Sequence, residues 1–264
     1  MKKKLLIILS ITFLLIITGC GKSNANSTSD TTKKKKPVEL TISAAASLQN
    51  VLEDITDDFN KEHPEIEIKY NFGASGALAK QIVQGAPVDL FLSASVENYK
   101  ELDDKNLISK GTNLVSNELV LITSSNSDLP IKNFSDLTNQ QIEKVSIGTP
   151  TVVPAGTYAK QVLEHDHVWN DVEKKIVYAK DVRQVLTYVE TGNVEAGIVY
   201  KTDALISDKV KIVATADAQS HDQIIYPVGI IEGTSYPDEA TLFLDYLQSD
   251  AAKKLWIKYG FTRE

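Results

Sequence analysis

A chain of 264 residues with 42% hydrophobic and 24% charged side chains has the balance of a globular protein, and its length allows one or two domains. Its net charge of −7, which becomes −10 if the first 19 residues and their three lysines are removed, speaks against nucleic acid as a partner, because such a partner needs a basic face. A single cysteine, Cys20, excludes an internal disulfide and a cysteine-based zinc site.

In chain order, "MKKK" is a basic n-region, "LLIILSITFLLII" an apolar run and "TGCG" its end. Residues 1–19 therefore read as a signal peptide, and "IITGC" resembles the lipobox of bacterial lipoproteins, cut just before Cys20. A transmembrane anchor is the alternative, although the run is shorter than the roughly 20 apolar residues a span needs. Cys20 is then expected to be acylated and to hold the protein, by its lipid chains, on the outer face of the cell membrane. Residues 20–37 are polar and poor in apolar side chains, so they read as a disordered tether. The Lys33–Lys36 run within it fits either anionic lipid headgroups or plain solvation.

From Val38 onward strands and helices alternate. "VELTISA" reads as a strand and "SLQNVLEDITDDFNKEH" as an amphipathic helix; "EIEIKYNF" and "VDLFLSA" are strands followed by helices in "SGALAKQIVQG" and "VENYKELDDKN". A second series runs through the strands "ELVLITS" and "KVSIGT", the helix "AGTYAKQVLEHD" behind Pro154, and the helix "DVRQVLTYVETGN" with Asp181 as its N-cap. The strands "AGIVY", "VKIVATA" and "QIIYPVGII" follow, the last with a proline that marks an edge or a crossing point. Helices in "DEATLFLDYLQSD" and "AAKKLWIKYGF" close the chain. This alternation predicts an α/β protein with mostly parallel sheets, and it is too long for one small sheet. Two lobes are expected, residues 38–117 plus 225–264 and residues 118–224, with a ligand cleft between them.

Several segments in one order carry a family resemblance: "AAASL", "NFGASGALAKQIVQGAPVDLFLSA", "VPAGTYAK", "DVRQVL", "GIVYKTDA", "YPVGIIEG" and "YGFT". From about Leu40 to Thr262 the chain resembles the molybdate-binding proteins of molybdate ABC transporters, which are periplasmic-type substrate-binding proteins. The resemblance implies a two-lobed, type II periplasmic-binding-protein fold. It also implies an oxyanion, molybdate or tungstate, held by two serine hydroxyls, backbone N–H groups and a tyrosine hydroxyl. On this sequence those positions are Ser47, Ser75, Ala155, Val182 and Tyr200. Gly73 and Gly76 stand where the family often has serine, which puts only extra hydroxyl contacts in question. By the same resemblance the protein needs no cofactor and meets molybdenum only as molybdate. It acts as a monomer and hands its ligand to an ABC permease.

The residues support anion chemistry on their own terms. Ser47, Ser75, Ala155 and Val182 fall at expected helix N-termini, where N–H groups lack intrahelical partners and the helix dipole is positive. An acidic chain can hold an anion there, because oriented dipoles rather than net charge set the local field. A proton-free tetrahedral dianion only accepts hydrogen bonds, whereas phosphate near neutral pH carries a proton and needs an acceptor. Molybdate, tungstate and sulfate fit such a site; sulfate or thiosulfate remains the alternative ligand. Both serines also fit as simple N-caps, and that reading stays open here. Arg183 is expected to face solvent. Catalysis is not expected: no GxSxG elbow, HExxH or P-loop is present, and none of His63, His165, His167 and His221 is placed by sequence as a base for either serine.

Overall fold

The computed structural model of the protein describes residues 38–262. The signal peptide, Cys20 and the tether lie outside the described residues. Within them the chain forms two five-stranded sheets, each flanked by helices.

The first sheet has the order β2-β1-β3-β10-β4. Strand β1 (Val38–Ala45) pairs in parallel with β2 (Ile66–Gly73) and β3 (Leu90–Leu92). Parallel neighbours need crossover connections, and helices α1 (Gln49–Glu62) and α2 (Ser75–Val83) supply them. Helix α3 (Val96–Asp103) then leads to β4 (Ile108–Ser116) at the sheet edge. The reversed strand β10 (Ile225–Ile231) lies between β3 and β4 and pairs antiparallel with both.

The second sheet repeats this plan in the order β7-β6-β8-β5-β9. Strand β6 (Val145–Gly148) is parallel to β7 (Ile176–Ala179) and β8 (Ala196–Tyr200). The reversed strand is β5 (Leu119–Ser124), antiparallel to β8 and β9 (Val210–Thr215). Helices α4 (Pro154–His165), α5 (Trp169–Val172), α6 (Val182–Glu190) and α7 (Lys201–Leu205) connect these strands. Each sheet thus receives its reversed strand just after the chain has passed over from the other, once at Asn117–Glu118 and once before β10.

Helices α8 (Pro237–Leu247) and α9 (Asp250–Lys258) return to the first sheet's side. Phe59 of α1 meets Phe243 of α8 edge-on, with ring centroids 5.1 Å apart, and the buried Trp256 indole donates to the Leu247 carbonyl at 3.0 Å. These aromatic contacts bury large apolar area while leaving no polar tip unpaired.

Of the two readings of Pro227, the edge is corrected: β10 is interior and follows the chain's second passage between the sheets, and the proline sits at a register shift between Tyr226 and Pro227, where a missing N–H breaks no regular ladder. Strand β4 escapes the sequence pattern because "ISKGTNLVS" is a polar edge strand, exposed over most of its first half and paired along its length only with β10, with one bridge from Ser116 to Thr262 on its other side.

Candidate functional site

The parallel strands end toward one place. Strands β1, β2 and β3 run out at Ala45, Gly73 and Leu92, and β6, β7 and β8 at Gly148, Ala179 and Tyr200. The residues just past these ends, where open α/β sheets bind ligands, line one small cavity shared by both sheets. Its walls include Ala45, Ala46, Ser47, Gly73, Ala74, Ser75 and Ala94 from one side, and Val153, Pro154, Ala155, Asp181, Val182 and Tyr200 from the other. All five positions singled out in the sequence, Ser47, Ser75, Ala155, Val182 and Tyr200, are therefore brought together. The empty space between these walls is about 210 Å³, counting the part open to solvent. That is below the roughly 300–1,000 Å³ typical of pockets for drug-sized ligands and suits a small polyatomic ion.

The alanines and glycine bring backbone close to this space, and the hydroxyls supply the donors. Ser47 lies in a 3₁₀ turn, Ala46–Leu48, between β1 and α1; it is buried and caps no helix. Its Oγ lies 3.0 Å from the Tyr226 hydroxyl. Ser75 is the first residue of α2, behind Ala74, and it does not cap that helix either. Its Oγ accepts from the Ala94 N–H at 2.9 Å, so its own proton is free to point into the cavity. The cap reading of both serines thus gives way, whereas Asp181 does cap α6, accepting from the Gln184 N–H at 2.8 Å.

Ala155 and Val182 stand in the first turns of α4 and α6, where backbone N–H groups have no partner of their own. Tyr200, at the end of β8, is fully buried, and its hydroxyl has no hydrogen-bond partner. Tyr226 is near enough to act on it electrostatically, with rings 5.8 Å apart and edge-on. Burial, then the neighbouring Tyr226, raise the Tyr200 phenol well above its ordinary pKa, so it stays protonated. A buried hydroxyl without a partner is uncommon, and here the residue that carries it lines the cavity.

No lysine or arginine lines the cavity; Asp181 and Tyr200 are its only ionisable side chains. Arg183 stands behind the wall. It is largely buried rather than solvent-facing: its Nε lies 2.7 Å from Asp203 Oδ1, an ion pair without hydrogen-bond alignment, and its Nη2 donates to the Ser47 carbonyl at 3.3 Å. Asp203 is fully buried, and desolvation pushes its pKa up to about 6 against the pull of Arg183 and the Tyr200 backbone. The guanidinium links residues from the two sheets, as does the Gly76 N–H donating to the Val152 carbonyl at 3.0 Å. A Cβ at Gly76 would sit 2.9 Å from that oxygen, so the close approach requires glycine.

Among the described residues no group of three or more His, Cys, Asp or Glu is arranged to hold a metal ion, and no histidine lines the cavity. The arrangement offers hydroxyl and N–H donors, beside one carboxylate, Asp181, whose Oδ1 is taken up in capping α6. Sequence reasoning missed Asn117 and Tyr226, which support Ser47 from behind. Only the presence of Tyr226 in the matching "YPVGIIEG" segment hinted at it.

Two sheets flanked by helices, with a cavity past the strand ends, define a periplasmic-binding-protein-like architecture. The chain belongs to the bacterial extracellular solute-binding protein family, whose pattern matches residues 40–262. It is 50% identical over 265 residues, covering 100% of this chain and 99% of the relative, to a Bacillus subtilis protein named "Putative ABC transporter substrate-binding lipoprotein YvgL". It is 39% identical over 257 residues, covering 96% and 97%, to the molybdate-binding protein ModA of Haemophilus influenzae. The periplasmic molybdate-binding protein of Azotobacter vinelandii superposes with a TM-score of 0.78 at 22% identity, over 85% of this chain and 99% of that one, a likeness of fold alone.

Proposed function

We propose that this protein captures a proton-free tetrahedral oxyanion, molybdate and with it tungstate, in the cavity between the two sheets, and delivers it to an ABC permease. The observation that carries the reading is the set of hydroxyls around one ion-sized space: Tyr200 buried with no partner, and Ser75 with its oxygen already occupied and its proton left to give. Ala155 and Val182 add N–H groups at positive helix ends. Hydrogen bonds to a charged group contribute about 1.5–3 kcal/mol each, so five of them sum to about 7.5–15 kcal/mol, which reaches above the roughly 8–12 kcal/mol of micromolar-to-nanomolar binding at its upper end. Desolvation of the dianion and domain closure absorb the difference.

In this reading residues 38–117 plus 225–264 and residues 118–224 act as two lobes that close by hinge bending. The anion meets Ser47 and Ser75 first, and Ala155, Val182 and Tyr200 close over it. The protein works without catalysis, tethered to the outer face of the membrane through acylated Cys20, as the lipoprotein name of the Bacillus subtilis relative suggests. The name of the Haemophilus influenzae relative supports molybdate as ligand.

Titration calorimetry with molybdate, tungstate, sulfate, phosphate and ferric citrate tests this reading. Sub-micromolar, one-to-one binding of molybdate and tungstate, with phosphate and ferric citrate far weaker, is expected. Sulfate binding as tightly as molybdate would make the protein a sulfate receptor, and turnover of ester or phosphoester substrates lost in Ser47→Ala would make it an enzyme.

A further inference from the structure

Behind Ser47 runs a chain of buried polar groups with a defined direction. Asn117 lies where the chain passes from the first sheet to the second, between β4 and β5. Its Oδ1 accepts from the backbone N–H of Glu118 at 2.9 Å. A backbone N–H can only donate, so this bond sets which end of the amide is oxygen and turns the NH₂ the other way. That NH₂ has two protons and two partners, Thr202 Oγ1 at 2.9 Å and the Tyr226 hydroxyl at 3.2 Å. The Tyr226 oxygen therefore accepts from Asn117, and Ser47 Oγ, 3.0 Å away, is placed to take the Tyr226 proton. All four side chains are buried. Burial keeps the Tyr226 phenol protonated, its pKa raised well above the ordinary value by desolvation. When the Ser47 oxygen takes that proton, the Ser47 hydroxyl has its own proton left, and Ser47 lines the cavity where it can be used.

We infer that Asn117 and Tyr226 are positioning residues for specificity: by holding Ser47 as an obligate donor, they make the site reject oxyanions that carry a proton. Ser75 is held in the same sense by the Ala94 N–H. An incoming P–OH or As–OH group would then face donors at both serines, leaving two protons on one hydrogen-bond axis. This inference rests on the oxyanion reading of the cavity and adds to it the element that sets the ligand's protonation state. Charge alone does not make the distinction, because hydrogen phosphate and molybdate are both dianions.

The variants are chosen to reverse the relay or cut it. Asn117→Asp puts a carboxylate oxygen where the NH₂ stood. Tyr226 then donates to Asp, Ser47 donates to Tyr226, and the Ser47 oxygen turns toward the ligand as an acceptor. Tyr226→Phe removes the relay and leaves Ser47 free to do either. The test is competition calorimetry of the full-length protein at pH 8 with molybdate, sulfate and phosphate, reading the ratio of the phosphate Kd to the molybdate Kd. Both of these ions carry a charge of −2 at that pH, so the carboxylate introduced at position 117 weakens both and cancels in the ratio. The ratio is expected to fall at least tenfold in Asn117→Asp and severalfold in Tyr226→Phe, with the ratio of sulfate to molybdate little changed. Should the Asp variant fail to fold, by circular dichroism and melting, Tyr226→Phe carries the test. A phosphate-to-molybdate ratio within twofold of the parent in the folded variants, with molybdate still bound, would overturn the relay and leave the oxyanion reading standing. A parent protein that binds none of the proton-free anions would overturn both.

Discussion

Helices α2 and α9 are each nine residues long and each has a serine at its start, yet the two serines do different work. Ser249 precedes α9 and caps it, its Oγ accepting from the Ala252 N–H at 3.2 Å. Ser75 is one position further in, behind Ala74, and its oxygen is taken by Ala94, 19 residues away, rather than by its own helix. The acids in the first turns differ in the same way. Asp250 of α9 is 88% exposed and pairs with Lys253 on its own helix, whereas Asp203 of α7 is fully buried against Arg183 from α6. Away from the cavity, polar groups at helix starts satisfy the helix. Beside it, Ser75 and Asp203 are held by partners outside their own helices, although Asp181 still caps α6.

Breaking the first half of that contrast should have the largest effect. Ser75→Ala removes a donor to a buried dianion and is expected to weaken molybdate binding by roughly 1.5–3 kcal/mol, about ten- to 150-fold. Unchanged affinity in calorimetry would take Ser75 out of the site. The buried acid should show itself in the pH dependence of stability. With its folded pKa raised from 3.8 to about 6, Asp203 costs the folded state nothing below pH 4. As pH rises from about 4 to 6 the unfolded chain ionises this carboxyl while the folded protein keeps it protonated, so the folded state loses roughly 2–3 kcal/mol relative to low pH. Asp203→Asn removes that loss, so urea melts of parent and variant should diverge in the variant's favour between pH 4 and pH 7. Parallel curves would mean that the carboxyl is ionised at no cost.

Tyr200→Phe sharpens the contrast by separating stability from binding. Removing an unpartnered buried hydroxyl should leave the ligand-free protein as stable or about 1 kcal/mol more so, while molybdate affinity falls about tenfold. A loss of stability would show that the hydroxyl has a structural partner. Ser249→Ala should have the smallest effect, about 1 kcal/mol of stability through the lost cap, with molybdate affinity unchanged.

The strand cores were legible because runs such as Leu119–Ile122 and Ile198–Val199 are apolar without interruption and fully buried. The edge strand β4 was not, since a polar segment paired on one side leaves little pattern. The candidate ligand positions could be named from the family resemblance, but their convergence depends on the parallel pairing of β1 with β3 and of β6 with β8, which no local segment encodes. Arg183 read as a surface residue because its partners, Asp203 and the Ser47 carbonyl, come from a following helix and from the other sheet. Asn117 and Tyr226 are 109 residues apart and meet only because β10 returns to the first sheet beside the point where the chain leaves it. The sequence showed which helix starts carry small or hydroxyl residues. It could not show which of those hydroxyls the fold had already provided with a donor.

The most direct test is diffraction from crystals grown with molybdate, collected at the molybdenum absorption edge. A single anomalous peak is predicted in the cavity, with its oxygens within hydrogen-bond distance of the Ser47, Ser75 and Tyr200 hydroxyls and the Ala155 and Val182 N–H groups. Molybdenum bound elsewhere, or absent from crystals in which that cavity is accessible, would contradict the account.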